Sequence, residues 1–262
     1  ELMNNLIEIK NLNKTLFIKN GLKKTIFKNL SLDIPDSDKG KVYTIIAPNG
    51  SGKTILLKII SGIDNFDSGT VNISESVSSI KPIITETNSV LPWLDVKQNI
   101  LIWLRSRKEK ISDEKINYLM EDVGLSDYEH YFPNNKNSGF QFRIALARAL
   151  AFSPNIILID DSFKSFDLET RNELNTLIKK IINKYSIKFI LTTTNLIDAL
   201  FLSDHIYLMT KNPSEIILEL KNENNYFEIQ SMLLSDTFKQ LSQEIQSKFQ
   251  SRSGLASIHY SL

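Results

Sequence analysis

Val42-Tyr43-Thr44-Ile45-Ile46, then Ala47-Pro48-Asn49-Gly50-Ser51-Gly52-Lys53-Thr54, then Ile55 to Ile60 is the stretch that decides the fold. The first five residues form an apolar run of buried-strand type. Ile55 to Ile60 opens a helical pattern. The segment between them reads as a phosphate-binding loop, in which glycines let the backbone wrap a phosphate with its N–H groups. Asn49, Gly50, Ser51 and Gly52 would supply that cradle. Lys53 would reach the β- and γ-phosphates of a nucleotide, and the Thr54 hydroxyl would hold Mg²⁺. The helix beginning near Gly52 adds its positive N-terminal end to the anion site. Ala47 stands where the pattern G-x-x-x-x-G-K-[ST] has its first glycine. Alanine fits there if its φ is negative.

The rest of the composition agrees with an α/β domain of enzyme size. A chain of 262 residues can bury a full core. Its net charge of +1 provides no global field toward nucleic acid or acidic lipid, so no nucleic-acid partner is expected. The absence of cysteine excludes disulfides and thiolate metal sites. His130, His205 and His259 are too scattered for a metal site. No apolar run reaches membrane-spanning length. The N-terminus lacks a basic-then-apolar leader pattern, and Glu1-Leu2 ahead of Met3 reads as a cloning remnant.

Leu6 to Leu12 and Thr25 to Ile34 read as strands between turn residues. Asp67-Ser68-Gly69 turns the chain into a strand at Thr70 to Ile73, and Ser79 to Ile84 is a further candidate. A helical block is expected from about Asp95 to Phe152. In it Ile100, Trp103 and Leu104 share one face, and Ile116, Leu119, Met120 and Val123 another. Then β/α alternation resumes: strand Asn155 to Ile159, helix Leu168 to Ile182, strand Ile187 to Thr192, helix Leu196 to Leu202, strand His205 to Met209. Such alternation implies a parallel sheet covered by helices, so the helical block is an insertion. In the tail, Phe238, Leu241, Ile245 and Phe249 form one amphipathic face, expected to pack on its own domain.

The second half of the site is Ile156-Ile157-Leu158-Ile159-Asp160-Asp161. A buried strand delivering carboxylates at its C-terminal end is how phosphate-loop enzymes place a Mg²⁺ partner. Asp160 would contact Mg²⁺ through water, and Asp161 would face the attacking water.

Three further segments carry a resemblance to the ATP-binding cassette (ABC) transporter ATPases. Ser165-Phe166-Asp167 looks like that family's D-loop. Arg143 to Leu150 is similar to the helix after its signature motif. Val90-Leu91-Pro92-Trp93-Leu94-Asp95-Val96 with Asn99-Ile100 resembles the subclass serving importers of nitrate, sulfonates and taurine. The likeness runs from about Leu6 to Phe249. It implies a P-loop NTPase with an ABC-type mixed sheet core, N-terminal antiparallel strands and an inserted helical subdomain. The expected organisation is an ATPase domain over 3–221, with core segments 3–85 and 153–221 and helical subdomain 86–152, followed by a helical extension and frayed tail over 222–262. The resemblance further implies ATP and Mg²⁺ as ligands, a second ABC ATPase subunit pairing head to tail, and transmembrane permease subunits docked on the helical subdomain. The location it implies is cytoplasmic, peripheral on the inner face of the membrane.

Measured against the family pattern, several working positions are altered. The catalytic Glu falls on Asp161, whose carboxylate is set back by about 1.5 Å, one C–C bond. The switch His falls on Thr194 when Asp198-Ala199 is aligned with the family's Glu-Ala. The Q-loop Gln falls on Glu86, which can still ligate Mg²⁺. The signature Leu-Ser-Gly-Gly-Gln falls on Lys136-Asn137-Ser138-Gly139-Phe140, leaving Asn137, Ser138 and Gly139 to face a partner's γ-phosphate. The adenine-stacking group is Phe17 or Leu16. The groups that hold ATP and Mg²⁺ are kept, while those that position water and sense the γ-phosphate are changed. Two readings follow: an energising ATPase subunit of a small-solute importer with slow hydrolysis, or a hydrolysis-impaired nucleotide-binding partner of an intact ABC ATPase. Trp93 belongs either to the permease-facing surface or to the core.

Overall fold

The computed structural model describes residues 5–17, 21–37, 40–77, 80–85, 90–106, 111–133, 137–164, 166–211, 213–222 and 229–253, with side chains as far as 248. Strands β1 (Asn5–Phe17), β2 (Lys23–Pro35) and β4 (Ser68–Ile73) form an antiparallel sheet in the order β2-β1-β4. The second sheet contains β3 (Val42–Ile46), β5 (Ile83–Thr85), β6 (Ile156–Asp160), β7 (Lys188–Thr193), β8 (His205–Met209) and β9 (Ile216–Lys221). Its order is β5-β6-β7-β3-β8-β9. All its pairings are parallel except β8–β9, which is antiparallel.

The near-continuous apolar character of β3 and β6 follows from burial on both faces, as parallel strands require. Successive side chains point to opposite faces, and the core divides accordingly. Tyr43, Ile45, Ile156, Leu158, Ile190, Tyr207 and Met209 share one apolar cluster with α1 (Lys53–Ser61) and the inner face of the antiparallel sheet. Val42, Ile46, Ile157, Ile159, Phe189, Leu191, Ile206 and Leu208 join the other cluster. That cluster is completed by α2 (Val96–Ser106), α3 (Asp113–Asp122), α4 (Ser138–Ala151), α5 (Leu168–Tyr185) and α6 (Leu196–Leu202). The period places Asp160 on the α1 side of the sheet, in phase with Ile156 and Leu158.

Helices α2, α3 and α4 all lie between β5 and β6 in the chain. Helix α2 starts with a reciprocal cap: Gln98 N–H donates to Asp95 Oδ1 at 2.7 Å, and Asp95 N–H donates to Gln98 Oε1 at 3.2 Å. Ser112 caps α3 and Asp167 caps α5, each accepting from a backbone N–H three residues on. Helices α7 (Ile229–Leu234) and α8 (Asp236–Ser253) close the chain. Phe238 and Ile245 of α8 are buried in the larger cluster and Leu241 is half-buried against it, so the tail does pack on its own domain. The side chain of Phe249 lies outside the described residues. Burial of Ile245 alone stabilises this docking by about 1.5–3 kcal/mol.

Three expectations are corrected. Of the strand anticipated over Ser79 to Ile84, Ser79 lies outside the described residues, 80–82 are not in a strand, and the strand formed is Ile83–Thr85. Pro82 lacks an N–H and takes part only through its carbonyl, which accepts from Leu158 N–H at 2.9 Å. Trp103 does not join Ile100 and Leu104 in the core. It is 52% exposed, and the buried face of α2 runs through Val96, Asn99, Ile100, Leu101 and Leu104. Finally, β9 was not anticipated. Its Ile216-Ile217-Leu218 run lacks a clear period, and only pairing with β8 makes it an edge strand.

Candidate functional site

The loop after β3 is held in a left-handed conformation that favours glycine at two points. Gly50 and Gly52 have φ of 77° and 95°. A Cβ on Gly52 would lie 2.5 Å from Ile26 Cγ2 and 2.9 Å from the Phe27 ring, so the site excludes a side chain twice over. Ala47 is not among the residues with positive φ, as its place in the pattern requires. Its N–H donates to Thr193 O at 3.1 Å, tying the loop to the end of β7. Gly52 caps α1 without a side-chain hydrogen bond, so the first-turn N–H groups point into the loop.

Lys53, 6% exposed, folds back over this loop. Its Nζ donates to Ala47 O at 2.8 Å and Pro48 O at 3.3 Å and lies 3.8 Å from Asp161 Oδ2. Burial holds its ammonium below the ordinary lysine range, while the charges of Asp161 and Asp160 pull it back up. Such a cation, already poorly solvated, gains more from an incoming anion than an exposed one does.

Asp160 sits at the end of β6 with both carboxylate oxygens engaged. Thr54 Oγ1 donates to Oδ2 at 2.6 Å, and Thr192 Oγ1 donates to Oδ1 at 2.8 Å. Thr192 has no counterpart among the residues singled out from sequence, although the Thr192-Thr193-Thr194 run at a strand end was a visible cluster of hydroxyls. Asp161 leaves the strand with φ of 47°, a left-handed conformation that Asp tolerates better than most residues. Its N–H donates to Thr192 O at 2.9 Å, and its Oδ1 accepts from Thr194 N–H at 3.3 Å. The structure therefore brings Lys53, Thr54, Asp160, Asp161 and Thr194 into one cluster at the C-terminal ends of β3, β6 and β7.

Two buried charges lie behind this cluster. Arg171 of α5 donates to the carbonyls of Phe163 and Phe166 at 3.4 and 3.5 Å and lies 3.5 Å from Asp198 of α6. Asp198 is 1% exposed, and neither of its oxygens has a hydrogen-bond partner. Burial pushes its carboxyl up to about 6. Arg171 opposes that shift and the charge of Asp161 reinforces it. The sequence offered Asp198 only as an alignment point.

Of the remaining expected residues, those that are described lie elsewhere. Asn137 caps α4, its Oδ1 accepting from Phe140 N–H at 2.8 Å, which leaves its exposed amide Nδ2 as a donor. Ser138 is half-buried, and a Cβ on Gly139 would meet Thr170 Cγ2 at 2.6 Å. Gly139 is thus required for the approach of α4 to α5. Among the described residues no hydrogen bond or ion pair joins 137–139 to the phosphate loop. Glu86, Lys136 and Ser165 lie outside the described residues. Phe17 presents a ring 76% exposed with Lys23 Nζ 5.4 Å from its centroid, whereas Leu16 packs against the core. Trp93 is 68% exposed, which removes core packing as its role. Its loop is rigid nonetheless. Buried Asn99 accepts from Leu91 N–H and donates to the carbonyls of Leu91, Leu94 and Asp95, all within 2.8–3.0 Å.

The arrangement can grip a polyphosphate with N–H groups and a buried cation, offer hard oxygens to a divalent ion, and place one carboxylate beside the bound anion. Comparison with known proteins agrees. A family profile described as "ABC transporter" matches residues 27–164. The aliphatic sulfonates import ATP-binding protein SsuB of Bacillus anthracis is 30% identical over 229 residues, covering 86% of this chain and 88% of that protein. The nitrate import ATP-binding protein NrtD of Synechocystis sp. is 28% identical over 222 residues, covering 82% of this chain and 81% of that protein. Among solved structures, the dimeric post-hydrolysis state of the ATP-binding cassette MJ0796 bound to ADP and Pi superposes with a TM-score of 0.67 at 24% identity, covering 83% of this chain and 99% of that one.

Proposed function

Because the chain belongs to the ABC transporter family, we propose that it is the ATP-binding ATPase subunit of an importer for a small anion of the sulfonate or nitrate class. The observation that carries this reading is the joined pair of half-sites. The Gly50–Gly52 cradle and Lys53 form one, and Asp160 forms the other, bonded to Thr54 at 2.6 Å. In this reading the backbone N–H groups and Lys53 orient the β- and γ-phosphates, and the Phe17 ring stacks on the adenine.

The residues present fit Mg²⁺. Thr54 and Asp160 supply hard oxygens, held together by the Thr54 Oγ1 bond to Asp160 Oδ2 at 2.6 Å. One carboxylate plus substrate phosphates is the ordinary Mg²⁺ arrangement. When bound, Mg²⁺ would draw negative charge from the phosphate oxygens. In this reading Asp161 takes a proton from the attacking water, Thr194 orients that region through its backbone N–H, and Glu86, which lies outside the described residues, is a further Mg²⁺ ligand.

Residues 3–85 and 153–221 form the nucleotide-binding core in this reading, 86–152 the helical subdomain, and 222–262 an extension. A second cassette pairs head to tail, so that Asn137, Ser138 and Gly139 meet the partner's γ-phosphate. The permease docks on the helical subdomain through the rigid Trp93 loop, placing the chain at the inner face of the membrane. No helix among the described residues is long and apolar enough to cross a membrane.

A second reading, a hydrolysis-impaired partner of an intact cassette, is favoured by the ties on Asp161. One of its oxygens accepts from Thr194 N–H and the other lies 3.8 Å from Lys53, which holds the carboxylate back from the site. Calorimetric titration with Mg·ATP tests the common core of both readings. Saturable binding that is strongly weakened in Lys53→Ala is expected, and unchanged affinity in that variant would sink them. Phosphate release by the purified chain, alone and with its permease, then separates the two.

A further inference from the structure

The turn between β8 and β9 touches the phosphate loop from behind. Lys211 Nζ donates to Asn49 O at 2.8 Å, and Ser214 Oγ donates to Ser51 O at 2.7 Å. Ser214 is 2% exposed, whereas Lys211 is on the surface. The turn is itself closed. Thr210 N–H donates to Glu215 O at 2.9 Å, Glu215 N–H donates to Thr210 Oγ1 at 3.0 Å, and that hydroxyl donates to Pro213 O at 2.9 Å. A bridge links Ser214 to Phe27, the residue whose ring packs under Gly52. The two sides of the loop are therefore gripped by connected parts.

The choice of carbonyls matters. In a trans peptide the C=O of one residue and the N–H of the next lie in one plane and point opposite ways. The Asn49 carbonyl shares its plane with Gly50 N–H, and the Ser51 carbonyl shares its plane with Gly52 N–H. Those two glycines flank freely rotatable positions, so an unanchored plane could turn over at little steric cost. Anchoring both carbonyls outward aims both N–H groups into the cradle before any ligand arrives.

We propose that Lys211 and Ser214 are positioning residues for nucleotide binding, which set the two peptide planes whose N–H groups meet the phosphates. This rests on the reading of the loop as an ATP site. Lys211 also brings a second cation to the loop, which adds to the attraction for the phosphates at low salt.

The test titrates the full chain with Mg·ATP and, separately, with adenosine, which lacks phosphates. Ser214→Ala and Lys211→Met should each weaken ATP binding about fivefold, the usual size of one net hydrogen bond. Adenosine affinity should stay near wild type in both, and the melting temperature of the free protein should stay near wild type in Lys211→Met, whose side chain is exposed. Lys211→Arg should restore ATP binding, and Lys211→Gln should restore part of it. Lys211 is exposed, so its variants keep the test open even where Ser214→Ala folds poorly. By linkage, ATP should slow amide exchange at Thr210, Lys211, Ser214 and Glu215 of the wild type. Equal ATP affinity in both variants overturns this proposal alone, as does a parallel loss of ATP and adenosine binding. Absence of ATP binding by the wild type overturns the site reading along with it.

Discussion

Replacing Asp161 by Glu should move two quantities in opposite directions. Asp161 holds φ of 47° and anchors to Thr194 N–H at 3.3 Å. Glu has a weaker local hydrogen-bonding excuse for a left-handed backbone, which costs about 1 kcal/mol, and it gives up the short tie to Thr194. The melting temperature should fall by about 2–4 °C for a chain of this size. The longer side chain carries the carboxylate about 1.5 Å further toward the bound nucleotide, and a misplacement of that order is worth about a hundredfold in rate. Single-turnover phosphate release should therefore accelerate by up to about two orders of magnitude, with KM for ATP little changed because the added reach acts in the transition state. Adding Thr194→His should raise kcat by more than the sum of the single effects, since both groups address the same water and phosphate. Wild-type turnover near the common enzyme value of about 10 s⁻¹ would refute the reasoning. So would an Asp161→Glu protein that melts earlier but releases phosphate no faster, and attention would then shift to the signature segment at Asn137 and Ser138.

Other outcomes follow from the same geometry. Lys53→Ala should weaken Mg·ATP binding by about tenfold or more, the worth of a charge-assisted hydrogen bond, as read by calorimetry. Trp93→Ala should leave the melting temperature and ATP affinity of the free chain unchanged, because the ring is 68% exposed, while solute uptake by the reconstituted transporter drops. Asp198 should make stability depend on pH. Its folded carboxyl sits at about 6, so it keeps a proton that the unfolded chain has released. The resulting stabilisation is complete below about pH 4 and is lost as pH rises through about 6, a change on the order of 3 kcal/mol. Urea unfolding of Asp198→Asn across that window should give a flatter profile than wild type, and parallel profiles would show that the group does not titrate there.

Much of the site was legible because its chemistry is local in sequence. The phosphate loop needs its glycines, lysine and threonine side by side, and the period of β6 alone places Asp160 on the face toward α1. What escaped sequence reading is non-local. Thr192 reaches Asp160 across a strand pairing, and Arg171 meets Asp198 across two helices. Lys211 and Ser214 act on carbonyls about 160 residues earlier, through contacts that carry no compositional mark. The error at Trp103 has a different source. Helical spacing says that 100, 103 and 104 share a face, but not how wide a stripe the neighbours cover. Here coverage stops short of 103, although Leu101 on its other flank is buried.

The place of β3 in its sheet bears on how the molecule is made. Among the described residues, Val42–Ile46 pairs with Lys188–Thr193 and His205–Met209, which leave the ribosome much later. At ordinary elongation rates of about 5–20 residues per second, the strand that carries the phosphate loop waits roughly 7–30 seconds without its hydrogen-bonding neighbours. During that interval ATP has no assembled cradle to bind and cannot stabilise the nascent chain. Loop closure over so long a span also slows folding after release. The apolar run before the loop is then an exposed segment in search of a strand, so the same centrality that buries β3 in the finished protein makes its synthesis the stage most open to mispairing and to chaperone capture.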